Sequence, residues 1–240
     1  MKEILIVIPA RYSSSRFPGK PLKKINNKSM LKMVWMKCAK VFEKDKIIIA
    51  TEDQRIVDHC NNEGMKVILT SNKCKTGTDR VYEVSKKINA DIYINVQGDE
   101  PMISSGDIKK FISFAKKNSG CVINAMTSIK NKEDYLNYNI PKVVTNNKSE
   151  LLYMSRSPIP GNKEIEFIKA NKQVCIYAFP KVALKRFGES RKKTKLEKIE
   201  DIEILRFIEM GYKVKMIKTK RGSYSVDTPK DLRRVRGILK

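Results

Sequence analysis

Residues 4–22 read ILIVIPARYSSSRFPGKPL. The first five are apolar and mostly β-branched, so they make a strand with no polar face, and Pro9 closes it. Beyond Pro9 the composition inverts: Arg11, Arg16 and Lys20 stand among two prolines, a glycine and three serines. A strand apolar on both sides needs cover on both sides. The basic loop at its end is a feature the strand itself does not explain.

Outward from this stretch the same alternation repeats. SMLKMVWMKCAKV, QRIVDHCNNEG and DRVYEVSKKI are amphipathic, and KIIIAT, KVILT and DIYINV between them are short apolar runs. Strand and helix in turn predict an α/β fold with a mostly parallel sheet and helices on both faces. In such sheets ligands sit beyond the carboxyl ends of the strands. Three loops, IPARYSSSRFPGK, ATED and NVQGDEP, leave strand-like runs and converge there.

After about residue 120 the pattern changes. CVINAMTSI is followed by polar KNKEDYLNYNIPK, and VVTNNKSELLYMSRSPIP reads as two strands joined by the turn-rich NNKS. QVCIYAFP is a further strand. LEKIEDIEILRFIEMG places Leu196, Ile199, Ile202, Leu205 and Ile208 at helical spacing before Gly211, which predicts one helix. KVKMIKT and SVDTPKDLRRVRGIL add a strand and a short helix. No repeat or low-complexity linker divides the 240 residues, so a single domain, 1–240, is expected.

The formal charge of +24 raises nucleic-acid binding. The lysines, however, are spread through KKINNK, KKNSG, KNKED and ESRKKTKLEK, which describes a solvated surface rather than a polynucleotide face. The cysteines Cys38, Cys60, Cys74, Cys121 and Cys175 form no C-x-x-C pair, so neither a zinc cluster nor a disulfide framework is indicated. His59, the only histidine, falls in an amphipathic stretch and reads as a helix residue. No run of about 18 uncharged apolar residues occurs and no signal-peptide layout precedes the first strand; a soluble, cytoplasmic chain without membrane contact is expected.

The loop after the first strand can offer backbone N–H groups and the cations Arg11, Arg16 and Lys20 to one polyphosphate. It lacks the G-x-x-x-x-G-K-[ST] spacing of a Walker A loop. In NVQGDEP, Asp99 and Glu100 end a strand, where a carboxylate holds Mg²⁺ beside phosphates or caps a turn. Asp227 in SVDTP repeats the pattern, with capping of the last helix as its other reading. TGTDR brings Thr76, Gly77, Thr78 and Arg80 together, a set that hydrogen-bonds a base or ribose, or simply starts a helix with Thr78 as N-cap. Arg156 in SRSPIP and Tyr177 in QVCIYAF are candidates for an anionic second substrate, with ordinary strand packing as the alternative.

Taken in order, IPARYSSSRFPGKPL, TGTDR, NVQGDEPMI, NYNIPKVV, SRSPIP, IYAF, LEKIE and SVDTPKDLRRVR resemble the 3-deoxy-manno-octulosonate cytidylyltransferase family across nearly the whole chain. The resemblance implies a Rossmann-like nucleotidyltransferase fold and a homodimer assembled through the later hairpin region, within about 125–180. It implies a Mg²⁺-dependent reaction of CTP with a 3-deoxy-2-keto sugar acid, giving a CMP-sugar and pyrophosphate, the CMP-sugar feeding lipopolysaccharide or a related surface glycan. Carried over, Arg11, Lys20, Asp99 and Asp227 are the catalytic set, with Asp99 and Asp227 as metal ligands. Ala10, Arg11, Ser15, Arg16, Lys20, Thr78, Arg80 and Gln97 fall to the nucleotide, and Arg156, Gln173, Tyr177 and Glu203 to the sugar.

Two positions depart from the family pattern: Gln173 stands where a histidine is common, and Ile204 where a glutamine follows the helix glutamate. Both belong to the acceptor half. The acceptor is therefore Kdo, 8-amino-8-deoxy-Kdo or another acidic sugar. UTP or dTTP in place of CTP, and a catalytically silent nucleotide- or RNA-binding protein, are the other readings.

Overall fold

The all-apolar runs have no face to give to water, so they pair side by side and are covered twice. The computed structural model describes residues 2–13, 16–164, 166–190, 192–220 and 224–239. Its strands are β1 (Ile4–Pro9), β2 (Lys24–Ile25), β3 (Lys28–Ser29), β4 (Ile47–Thr51), β5 (Val67–Leu69), β6 (Ile92–Val96), β7 (Val122–Ser128), β8 (Lys142–Thr145), β9 (Leu151–Ser155), β10 (Asn171–Pro180) and β11 (Val214–Lys218). The helices are α1 (Met30–Ala39), α2 (Gln54–Asn62), α3 (Gly77–Ser85), α4 (Ser105–Lys117), α5 (Lys132–Leu136), α6 (Lys181–Glu189), α7 (Lys195–Glu200), α8 (Ile204–Glu209) and α9 (Pro229–Ile238).

The main sheet runs β11-β7-β10-β6-β1-β4-β5, with β8 and β9 attached through β10. β1 lies at the centre, parallel to β4 with Ile6 opposite Ile47 and to β6 with Ile4 opposite Ile92. β4–β5 and β7–β11 are also parallel, and β10 alone on this path is reversed, between β6 and β7. This is the mostly parallel, Rossmann-like layout that the alternating pattern predicts. Among the described residues no helix is long and apolar enough to cross a membrane.

The pleat of β1 divides the core, since successive side chains point to opposite faces. Ile4, Ile6 and Ile8 pack with Val34, Trp35 and Phe111 of α1 and α4, and Leu5 and Val7 pack with Val81, Leu184, Phe187 and Phe207 of α3, α6 and α8. On the second face Arg206 is 2 % exposed, and its guanidinium grips Glu197 with two bonds of 2.6 Å while lying 3.6 Å from the Phe187 ring centroid. A smaller cluster of Ile25, Met30, Val226, Leu232 and Val235, with Phe17 against it, fastens α9 over the N-terminal loop.

Two local expectations are corrected. The stretch expected as one helix over LEKIEDIEILRFIEMG is broken into α7 and α8, because Asp201 takes a left-handed conformation at φ 51° and the chain turns there. Thr78 is not the cap of α3. Thr76 is: its hydroxyl accepts from Asp79 N–H while the Asp79 carboxylate accepts from Thr76 N–H, a reciprocal capping box. His59 is a residue of α2, its Nε2 2.8 Å from Ser29 Oγ, and burial lowers its pKa. All five cysteines are free, and burial pushes the Cys38 and Cys60 thiols up to about 12.

Candidate active site

The loop after β1 is anchored at several described points. Ala10, 4 % exposed, donates its N–H to Ala50 O at 2.8 Å, extending the sheet by one bond. Tyr12 N–H reaches Glu52 Oε1 at 3.1 Å, and Gly19 N–H returns to Tyr12 O at 2.9 Å. Gly19 has φ 67°, a conformation that favours glycine, and a Cβ there would sit a tight 3.1 Å from the Tyr12 ring. This closure delivers Lys20 to the strand ends. Arg11 is exposed, Arg16 mostly so, and Ser15 lies outside the described residues.

A second loop crosses the end of β1. A Cβ on Gly98 would fall 2.8 Å from Pro9 O, so only glycine lets NVQGDE pass this close. Beyond it, Asp99 O accepts from Val226 N–H at 2.9 Å, which ties the strand-end loop to the segment entering α9. Thr228, with Asp231, caps α9, so Asp227 is left with its side chain free to pair elsewhere. Both aspartates turn to one cation: Lys20 Nζ lies 2.8 Å from Asp99 Oδ2 and 3.2 Å from Asp227 Oδ1, and Arg16 also reaches Asp227 at 3.2 Å. Burial opposes the charge on Lys20, but Asp99 and then Asp227 outweigh it and its pKa is raised.

The third element is the start of α3. Gly77 N–H and Thr78 N–H donate to the two oxygens of Glu203 at 3.1 Å each, and the Thr78 hydroxyl adds a bond of 2.5 Å. Glu203 thereby caps α3 from the α7–α8 turn, and burial raises its pKa against the pull of those donors. Gln97 packs on the same helix start, where a Cβ on Gly77 would meet its Nε2 at 2.7 Å. Arg80, 4 % exposed, is held by Glu52 at 2.6 Å and Thr70 at 2.8 Å.

Known proteins resemble this chain from end to end. Residues 5–217 match the family model described as "Cytidylyltransferase". The 3-deoxy-manno-octulosonate cytidylyltransferase of Elusimicrobium minutum is 38 % identical over 245 residues, covering 100 % of this chain and 99 % of that one. The protein of the same name from Syntrophotalea carbinolica is 36 % identical over 247 residues, covering 99 % and 98 %. Among solved structures, a CMP:2-keto-3-deoxy-manno-octonic acid synthetase complexed with CTP superposes with a TM-score of 0.91 at 35 % identity, covering 99 % of this chain and 98 % of that one. The chain belongs to the 3-deoxy-manno-octulosonate cytidylyltransferase family.

Within this cytidylyltransferase the structure brings Arg16, Lys20, Asp99 and Asp227 into one cluster and sets Thr78, Gln97 and Glu203 together at α3. It does not bring Arg80 into contact with the aspartates. Arg156 gives its guanidinium to the backbone: Nε donates to Glu200 O at 2.6 Å, and the two terminal nitrogens donate to Tyr138 O at 3.1 Å and Asp201 O at 3.2 Å. Tyr177 is 5 % exposed and stacked on Phe179; burial, then the Cys175 thiol and Glu203, push its phenol well above the ordinary value. Gln173 Nε2 donates to Asn124 Oδ1 at 3.0 Å, and Asn124 in turn satisfies Val174 O and Ile176 O where β10 bulges against β7.

Three functional-region residues escape a reading of the sequence. Glu52 is the partner of both Arg80 and Tyr12. Asn95 is fully buried in β6, and neither its amide nitrogen nor its oxygen has a hydrogen-bond partner among the described residues. Lys142 is fully buried and, among the described residues, has no carboxylate at ion-pair distance, donating instead to the carbonyls of Asn137 and Arg156; burial and then Arg156, against the pull of Glu200, lower its pKa to about 8. A polar residue inside an apolar run was the available signal for Asn95 and Lys142. For Glu52 it was membership of the third strand-end loop.

Proposed function

We propose that this chain transfers CMP from CTP to the anomeric hydroxyl of 3-deoxy-manno-octulosonate or a close acidic analogue, releasing pyrophosphate. The observation that carries the proposal is the convergence of Lys20 and Arg16 on Asp99 and Asp227 at the ends of parallel strands, in a chain alike over its full length to proteins named for this reaction. In the reaction the sugar oxygen bonds to the α-phosphorus and the bond from that phosphorus to the bridging oxygen breaks. The electron pair leaves with pyrophosphate, and the hydroxyl proton passes to solvent. Such a transfer needs positioning and charge neutralisation more than covalent help. Arg11 and Arg16, on the exposed side of the loop, meet the phosphates, and Lys20 presents its donors to the oxygens where charge accumulates.

The carboxylate pair fits a divalent ion. Its oxygens already converge on one cation, the Lys20 ammonium, and hard oxygen donors are what Mg²⁺ prefers. We propose Asp99 and Asp227 as the residues that hold it; when bound, Mg²⁺ supplies neutralisation of the phosphates and lowers the pKa of the attacking hydroxyl. Thr78, Gln97 and Arg80 are assigned to the nucleoside side. Arg156, Gln173, Tyr177 and Glu203 are assigned to the acceptor wall, which Glu203 ties to α3 and Gln173 ties to β7.

We further propose a homodimer through the β8–β9 hairpin, where Leu152, with Tyr138 and Ile199 on adjoining segments, is 56 % exposed. The reaction is placed in the cytoplasm, where CTP is made. The test of function is pyrophosphate release from CTP, UTP, dTTP and ATP with Mg²⁺ and a panel of acidic sugars including Kdo and 8-amino-8-deoxy-Kdo. Turnover of CTP with Kdo is expected. Salt-steep RNA binding without pyrophosphate release from any pair would overturn the proposal. Sedimentation of the Leu152→Lys variant tests the dimer, which it is expected to weaken.

A further inference from the structure

We infer that Glu52 is a positioning residue for the phosphate-binding loop, holding it by the Tyr12 backbone while its other oxygen is fixed by Arg80. The inference rests on the proposed use of that loop for a triphosphate. Glu52 lies just beyond β4 with its side chain 10 % exposed, and its two oxygens have different tasks. Oε2 meets the Arg80 guanidinium of α3 at 2.6 Å. Oε1 accepts from Tyr12 N–H at 3.1 Å and from Ser13 Oγ at 3.4 Å. One carboxylate thus joins the helix assigned to the nucleoside to the loop assigned to the phosphates.

Each end of the assembly is itself held, which makes the carboxylate a fixed point rather than a wandering surface charge. Arg80 is kept in place by Thr70 Oγ1, whose own hydroxyl donates to Thr51 O at 3.0 Å beside Glu52. The Tyr12 ring lies under the Arg55 guanidinium at 3.4 Å, and Arg55 is held by Asp53 through bonds of 2.8 and 2.6 Å. Tyr12 O receives Gly19 N–H, the residue before Lys20. The path from Glu52 to Lys20 therefore runs through two backbone hydrogen bonds of a single residue. A carboxylate that fixes Tyr12 fixes both Arg11, which precedes it, and the point to which Gly19 returns.

A merely structural role for Glu52 would be to neutralise buried Arg80, and removing one partner of such a pair leaves the other charged and unmatched. The test therefore works on a background without that charge. Glu52→Ala/Arg80→Met and Glu52→Gln/Arg80→Met both lack the ion pair, and only the second keeps a side-chain oxygen for Tyr12 N–H. Binding of CTP and of inorganic tripolyphosphate to the full chain is measured by calorimetry. The alanine double variant is expected to bind tripolyphosphate about tenfold more weakly than the glutamine double variant, the size of effect given by one lost hydrogen bond in a binding loop. Their melting temperatures are expected to agree closely.

Equal tripolyphosphate affinities in the two double variants would overturn the inference. A tenfold difference for tripolyphosphate between the double variants, with no binding of CTP by the wild type, whose Arg80 is intact, would sustain it and instead refute the nucleotide assignment. If the double variants do not fold, hydrogen exchange at the Tyr12 amide of the folded single variant Glu52→Gln and of the wild type decides. Faster exchange in wild type on adding tripolyphosphate, or no protection of that amide without it, contradicts a loop held by Glu52; retained protection in both proteins supports it.

Discussion

Replacing Lys20 by methionine removes a cation that lies 2.8 Å from Asp99 Oδ2 and 3.2 Å from Asp227 Oδ1 while keeping most of the apolar stem. Two unit charges 4 Å apart interact by about 4 kcal/mol at an effective dielectric of about 20. The carboxylates here are 29 % and 36 % exposed, so solvent screening reduces the net contribution to about 1–2 kcal/mol. That free energy is what a divalent ion must overcome to take the place of the ammonium. Without it, the two aspartates repel each other and attract metal more strongly. In the absence of nucleotide, Lys20→Met should therefore bind Mn²⁺ about tenfold more tightly than wild type, since about 1.4 kcal/mol is one decade. The assay is loss of the free Mn²⁺ electron paramagnetic signal on titration, with Asp99→Asn as the control that loses the site. Turnover should fall, because the same lysine is assigned to the phosphates. A folded Lys20→Met protein with unchanged or weaker Mn²⁺ affinity would show that the ammonium does not compete for the carboxylates, and the reasoning would fail.

Asp99→Ala should abolish pyrophosphate release while leaving the melting temperature near that of wild type, because the Val226 bond uses Asp99 backbone and not its side chain; near-normal turnover would remove Asp99 from the site. Glu197→Ala should cost about 3 kcal/mol in denaturant unfolding, because Arg206, 2 % exposed, would lose both close bonds to its carboxylate and keep only the Asp79 carboxylate, at 3.8 Å, as a counter-charge; a loss under about 1 kcal/mol would mean that Asp79 or solvent takes over the guanidinium. Lys142 gives a pH dependence whose sign follows from its lowered pKa. Its folded value of about 8 lies below the ordinary 10.5, so between these the unfolded chain binds more protons and stability rises with pH. Compared with Lys142→Met, wild type should gain stability from pH 8 to 10; parallel curves would refute the shift.

The strands were legible because their chemistry is local. Within their ends, ILIVIP, KIIIAT and DIYINV are apolar on both faces save for Asn95, and short β-branched runs of this kind suit a strand covered on both sides. The crowding of Arg16 and Lys20 in one loop was legible from the residues that stiffen it, and the structure brings both to Asp227. The start of α3 was legible in principle: Thr76 and Asp79 have the spacing of a capping box, and the competing choice of Thr78 ignored the reach of Asp79 back to Thr76 N–H. The break between α7 and α8 was not legible. Leu196, Ile199 and Ile202 keep helical spacing, yet Ile199 is 70 % exposed and Asp201 turns the chain so that Glu203 can reach Gly77 and Thr78. The partnership of Glu52 with Arg80 was also hidden, since it exists only because β4 and α3 meet in space.

The two departures from the family pattern, both proposed to lie toward the acceptor, separate once their surroundings are known. Ile204 is 1 % exposed and belongs to the apolar cluster with Leu205 and Phe207, so an isoleucine here is paid for by burial and leaves no unmatched polar partner of its own. Its effect on the acceptor is then limited to the absence of an amide. Gln173 is different. Its Nε2 holds Asn124 Oδ1, and Asn124 Nδ2 holds the carbonyls of Val174 and Ile176 that the bulge takes out of the ladder. Tyr177 follows directly on that bulge and resumes the pairing with Asn124. A glutamine keeps this chain of bonds at every pH, whereas an imidazole would exchange donor for acceptor, or gain a charge, as it titrates. The side chain at 173 therefore reaches Tyr177 through the backbone of β10, and of the two departures it is the one with a physical route to the residues proposed for the acceptor.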